Sequence, residues 1–241
     1  QGTIAYEIFQ SLPDVDIILV PIGGGGLAAG VSTLAKLLNP NVKVIGVEAK
    51  GSACLKAAWE AGCPVTLDRV SLFADGVAVK RIGDETYRVL RENLDDIITC
   101  SNDEICAALK DIFDDTRAIA EPSGALSLAG LKKYAAEHDI SGARMAAILS
   151  GANMNFHTLR FVSERCEVGE QREGIISVTI PEKKGAFLDL CRKLGNRMVT
   201  EFNYRYSDSS QAEIFTSLRL TEGMDELERI IEGLREAGYN V

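Results

Sequence analysis

In the first two thirds of the chain, short apolar runs alternate with longer stretches in which apolar residues recur every three or four positions. The runs fall at residues 17–22, 42–47, 97–99 and 145–149 and are rich in β-branched side chains. The periodic stretches cover 27–38, 53–61, 84–93, 103–116 and 123–137. A continuous apolar run describes a strand buried on both faces, and a period near 3.6 describes an amphipathic helix. Strand and helix in alternation predict a parallel sheet with helices on both faces. Asn102 or Asp103 is the expected cap of the helix that reaches Thr116, and Pro122 suits a first helical turn.

The character changes near Gly169. A strand at 175–180 is followed by a turn holding Pro181 and Gly185, then a helix at 186–194. Two strands at 199–206 and 213–220 precede a helix at 224–237. This β-α-β-β-α order, with Tyr239-Asn240-Val241 opening a last strand, predicts an α+β unit of ferredoxin-like type. The polar stretch 167–174 is the candidate linker, which divides the chain into domains 1–168 and 169–241.

Composition narrows the function classes. The 241 residues are 46% hydrophobic with a net charge of -9, so a large core is expected, and neither nucleic acid nor an anionic membrane is an expected partner. No apolar run approaches the ~20 residues of a membrane helix. The six cysteines form no C-x-x-C pair and only two histidines exist. They read as reduced core residues in a reducing compartment, and no metal site is expected. The chain opens at Gln1 inside a helix-like pattern, so it is expected to be cut from a longer protein. The absence of a visible targeting signal therefore carries little weight.

Candidate chemistry concentrates at four consecutive glycines, Gly23, Gly24, Gly25 and Gly26, between the first run and the first helix. A glycine-rich turn at a helix N-terminus presents unpaired N–H groups and a positive dipole end, which suit an anion. A nucleoside triphosphate loop would need a following Gly-Lys-Ser/Thr, which is absent. A dinucleotide remains open, because Gly24, Gly26 and Ala29 fit G-x-G-x-x-A and Glu48 ends the next strand. A compact phosphate monoester, gripped by several N–H groups at once, is a third occupant, and a plain tight turn is the bland one. Two other segments lie at element ends: Glu121, with Ser123 and Gly124 following it, and Ser150-Gly151-Ala152-Asn153. Ligands bind beyond the carboxyl ends of parallel strands, so these loops can face one cleft.

The segments "GTIAYEI", "VPIGGGGLAAG", "GVEAKGSACLKAA", "FADGVAVKRIGDET", "AEPSGALSLAG" and "SERCEVGEQRE" together resemble the fold type II pyridoxal-phosphate enzymes of the threonine dehydratase family, over essentially all of the chain. The resemblance implies pyridoxal 5'-phosphate as cofactor. Gly23, Gly24, Gly25, Gly26 and Leu27 would wrap its phosphate, Ser150 would meet the pyridine nitrogen, Gly76 would supply backbone beside the ring, and Glu121 would sit near cofactor and substrate. It implies L-threonine ammonia-lyase activity, yielding 2-oxobutanoate and ammonia for isoleucine biosynthesis, with L-serine as a possible second substrate. The Schiff-base lysine of the family lies in a segment like S-F-K-x-R-G-A, which this chain lacks. Its lysines, Lys36 and Lys133 among them, read as solvated surface, so no catalytic residue is assigned and the chain alone is expected to be inactive. A cation that some relatives hold through a glutamate matching Glu48 is not carried over, because Cys54 stands where an acid would be needed.

The C-terminal unit resembles the first of two ACT-like regulatory modules, which implies inhibition by isoleucine, opposition by valine and a homotetramer. The expected compartment is the cytoplasm, or a plastid if a transit peptide precedes the chain. Two other readings stay in play: a non-catalytic amino-acid-sensing or assembly module, and a dinucleotide-binding oxidoreductase.

Overall fold

Four parallel strands, β1 (Ile17–Pro21), β2 (Lys43–Ala49), β3 (Asp96–Cys100) and β4 (Met145–Ala147), form a sheet in the order β3-β2-β1-β4 in the computed structural model. The structure describes residues 1–206 and 210–241. Strand β1 is buried at every position, as its unbroken apolar run requires. Its side chains alternate between two cores. Ile17 and Leu19 join Ile45, Val47 and Leu126 on one face, and Ile18 and Val20 join Val44, Val31 and Leu55 on the other. Both faces are thus covered, which is the predicted parallel arrangement.

Helices α1 (Thr3–Ser11), α2 (Gly26–Leu38), α3 (Cys54–Ala61), α4 (Asp84–Asn93), α5 (Asn102–Thr116), α6 (Pro122–Glu137) and α7 (Phe156–Gly169) complete this part. Helix α6 is buried nearly all round rather than along a stripe, because small residues let it lie close on the sheet. A Cβ on its Gly130 would fall 2.6 Å from Val47. Helix α5 is capped by Ser101, not by Asn102 or Asp103. The Ser101 hydroxyl accepts from the Glu104 N–H and the Glu104 carboxylate accepts from the Ser101 N–H. That reciprocal pair satisfies two donors at once, which a single Asn or Asp cap does not.

The chain divides into two compact units, 1–166 and 167–241. Residues 167–174 are not an open linker. Helix α7 runs on to Gly169, Gln171 turns the backbone at φ 58°, and strand β5 (Glu173–Pro181) begins two residues later. In the second unit α8 (Ala186–Leu194), β6 (Val199–Tyr206), β7 (Gln211–Arg219) and α9 (Met224–Glu236) follow, with an antiparallel sheet ordered β5-β7-β6. The expected last strand is a single antiparallel bridge between Asn240 and Thr179 beside β5, which is the ferredoxin-like position for it. Alternate residues of β5 and β7, among them Ile176, Val178, Ile214 and Leu218, pack on Leu190, Leu227 and Ile230 from the two helices. Half-buried alternation replaces continuous burial here because a two-layer unit has one dry face.

Two compositional expectations need correction. Four cysteines are buried, but Cys63 is exposed and Cys191 is half-buried. Lys36 and Lys133 are not simply solvated. Lys36 Nζ donates to the Val42 carbonyl and to Asp95, and Lys133 Nζ donates to the Thr99 carbonyl beside Glu104. A long apolar stem lets each lie along the surface and end on a backbone carbonyl. No helix among the described residues is long and apolar enough to cross a membrane.

Candidate functional site

The order β3-β2-β1-β4 places successive strands outward on one side of β1 and the last strand on the other. The loops leaving the carboxyl ends of β1 and β4 therefore diverge, and a crevice opens between them. The loop after β1 is the glycine run and the loop after β4 holds Ser150. A cavity of about 260 Å³ lies there, lined by Pro21, Gly23, Gly24, Gly25, Gly26, Leu27, Gly76, Val77, Glu121, Ser123 and Ser150. All eight residues singled out in the sequence are brought together, from four separate stretches of chain. No lysine lines the cavity among the described residues.

Gly25 has φ 87°, the left-handed conformation open to glycine, and turns the chain directly into α2. A Cβ on Gly24 or Gly26 would meet nothing within 4 Å, so the backbone of both lies bare toward open space. No side chain caps α2, and its first N–H groups have no partner within the helix. The loop is held from behind through its carbonyls. Thr86 Oγ1 donates to the Gly24 carbonyl at 2.8 Å, and Cys54 Sγ donates to the Gly23 carbonyl at 3.7 Å. With carbonyls held outside, the N–H groups and the helix dipole are left for an anion. Such a cradle fits a phosphate. One short cavity fits a phosphate joined to one ring better than a dinucleotide, since it is at the small end of cofactor pockets.

Glu48 does not serve a ribose. It is fully buried, and its carboxylate accepts from the Leu55 N–H at 2.7 Å and the Lys56 N–H at 2.8 Å at the start of α3. Burial pushes its pKa up to about 7, against the lowering effect of those two N–H groups. Burial and the neighbouring Glu48 raise the Cys54 thiol to about 12, so Cys54 stays a protonated donor to the glycine loop.

On the opposite wall, Glu121 precedes α6. Its N–H donates to the Gly151 carbonyl at 3.1 Å, and its Oε2 accepts from the Asn153 N–H at 3.2 Å. A Cβ on Gly151 would fall 2.1 Å from Glu121 Oε1, and one on Gly124 would fall 2.2 Å from the Gly151 carbonyl oxygen. These two glycines let the β4 loop lie against the start of α6. Ser150 Oγ donates to the Ser123 carbonyl at 3.4 Å. The sequence reading missed Thr86 and the Cys54–Glu48 pair as supports of the loop, and assigned Ser123 no role. Thr86 lies 62 residues from Gly24 and carries no local signal of that contact.

Residues 1–151 match the family model described as pyridoxal-phosphate dependent enzyme. Residues 164–241 match the C-terminal regulatory domain of threonine dehydratase. The biosynthetic L-threonine dehydratase of Salmonella typhimurium is 62% identical over 100% of this chain and 47% of its own length. The chloroplastic threonine dehydratase 1 of Solanum lycopersicum is 43% identical over 98% of this chain and 39% of its own. Among solved structures, the processed form of threonine deaminase isoform 2 from Solanum lycopersicum aligns with a TM-score of 0.67 at 44% identity, covering 68% of this chain and 48% of that one. Serine racemase from Dictyostelium discoideum aligns at 0.58 and 32% identity over 64% and 49%. The chain spans about half the length of the curated relatives it matches.

Proposed function

This chain belongs to the pyridoxal-phosphate dependent enzymes, and we propose that it is part of an L-threonine ammonia-lyase that converts threonine to 2-oxobutanoate and ammonia. The observation that carries the reading is the convergence of the glycine loop, Gly76, Glu121 and Ser150 on one cavity at the divergence of β1 and β4. The N–H groups of Gly23 to Leu27 hold the cofactor phosphate at the positive end of α2. Ser150 meets the ring nitrogen with a hydroxyl that turns from the Ser123 carbonyl to donate to it, adding no negative charge. Gly76 keeps its side of the ring free of a side chain. Glu121 Oε2 is held by Asn153, so Oε1, facing Gly76 and Gly151, is the atom positioned to hold a proton beside the substrate. When bound, pyridoxal phosphate supplies the electron sink that lets an amino acid lose its α-proton and β-hydroxyl. No lysine able to anchor the cofactor lines this cavity among the described residues.

The second unit senses amino acids: isoleucine inhibits, valine opposes it, and the enzyme works as a cytoplasmic homotetramer. The regulatory-domain match at 164–241 supports this part of the reading. L-serine is the second candidate substrate. The test uses the intact protein with pyridoxal phosphate and L-threonine, measuring 2-oxobutanoate and ammonia. Equal amounts of both, with Gly24→Asp reducing cofactor uptake more than tenfold by placing a carboxylate in the phosphate cradle, is the expected result. No product and no cofactor uptake would overturn it. Titration with isoleucine and valine separates regulation from catalysis, and lack of heat with either removes the sensing role.

A further inference from the structure

We propose that Ser123 is a further cofactor contact, whose hydroxyl donates to an acceptor on the ring edge of the cofactor next to the one met by Ser150. Ser123 is only 2% exposed, lines the cavity, and its Oγ has no hydrogen-bond partner among the described residues. It is the second residue of α6. A serine inside a helix commonly turns its hydroxyl back to a carbonyl four residues earlier. At this position that carbonyl belongs to Ile119, before the helix begins, so the usual local partner is out of line.

The surroundings fix the end of the cavity it serves. A Cβ on Gly76 would sit 2.9 Å from Ser123 Oγ and 3.4 Å from Glu121 Oε1, so the hydroxyl and the carboxylate flank the same bare stretch of backbone. The Ser123 carbonyl already takes the Ser150 hydroxyl at 3.4 Å, which puts the two serines side by side. Ser52 and Ser127 also have buried hydroxyls without partners, but neither lines the cavity. A buried hydroxyl left unpaired costs on the order of 1–3 kcal/mol, and a polar ligand atom at the cavity removes that cost.

This inference rests on the cofactor reading above, and the experiment separates the two. The intact protein, as wild type, Ser123→Ala and Ser123→Cys, is titrated with pyridoxal phosphate and, separately, with inorganic phosphate, and melting is followed without ligand. Ser123→Ala is expected to weaken pyridoxal-phosphate binding about tenfold. It should leave inorganic phosphate binding unchanged, because the glycine cradle is intact. Without ligand its melting temperature should hold or rise, since an unpaired polar group has been replaced by an apolar one. Ser123→Cys, a weaker donor of similar size, should fall between the two. Equal pyridoxal-phosphate affinity in wild type and Ser123→Ala would overturn the contact. So would a variant that melts lower and loses both ligands together, which marks a structural role. Wild type that takes up no pyridoxal phosphate would overturn the functional reading and this contact with it.

Discussion

Helices α2 and α8 begin in the same way and for different reasons. Gly25 before α2 has φ 87° and ψ -5°, Gly185 before α8 has φ 91° and ψ -17°, and neither helix has a side-chain cap. At Gly25 a Cβ would fall 2.7 Å from Ile82 Cδ1 and 2.9 Å from Thr86 Oγ1. At Gly185 it would meet nothing within 4 Å. The first glycine is needed for both its backbone angle and its room against a wall that also holds the neighbouring carbonyl. The second is needed for its angle alone. A left-handed glycine at a helix start is thus a turn signal, and a binding loop is distinguished by what stands behind it.

The largest effect is expected at the crowded start. Gly25→Ala combines left-handed strain with overpacking against Ile82 and Thr86 and should destabilise the first unit by about 3–4 kcal/mol in urea unfolding. It should also abolish cofactor uptake. A loss no greater than that of Gly185→Ala would erase the distinction drawn between the two starts.

The next effect sharpens the comparison through pH, because only the α2 loop is backed by a buried acid. The pKa of Glu48 is raised in the folded state to about 7 from 4.5. The neutral form is therefore the one favoured by folding. Its contribution to stability is complete below pH 4.5, is lost as pH rises toward 7, and is level above that. The difference amounts to about 3 kcal/mol. Glu48→Gln should remove this slope while carrying a constant cost, since an amide cannot accept both the Leu55 and Lys56 N–H groups. Denaturation of both proteins from pH 4 to 8 checks this, and parallel curves would place the titrating group elsewhere.

The smallest effect is expected at the open start. Gly185→Ala should cost about 1 kcal/mol, the strain of a left-handed alanine alone, with cofactor uptake unchanged. Thermal melting of the second unit's transition measures it. A cost near that of Gly25→Ala would reveal contacts behind Gly185 that the structure does not contain.

Much of this architecture was legible along the chain. The bounds of α4 and α8 coincide with the periodic stretches 84–93 and 186–194, because each has one apolar stripe and clear turn residues before it. The Ser101–Glu104 capping box is written in the sequence as Ser-Asn-Asp-Glu, but Asn102 and Asp103 are equally good cap types by composition. Helix α7 is hard to see in the sequence because its apolar positions are interrupted by Arg160, Glu164, Arg165 and Glu167, although Asn155 caps its start, accepting from the Thr158 N–H at 2.9 Å. Glu48 kept a dinucleotide open in the sequence because it ends a strand after a glycine loop. Its true partners, the first N–H groups of α3, become visible only once that helix turns back onto β2.

By itself the sequence determined the parallel sheet, the β-α-β-β-α order of the second unit and the residue types able to hold a phosphate. Each of these follows from local periodicity, glycine placement and side-chain chemistry, which act over a few residues. Only the tertiary structure decided that Gly23 to Leu27, Gly76, Glu121 and Ser150 share one cavity, that Thr86 and Cys54 hold the loop from behind, and that the Ser123 hydroxyl is buried without a partner. Those facts depend on strand order and on helices packed from far along the chain. No pattern of neighbouring residues encodes distances between segments that meet only when the core closes.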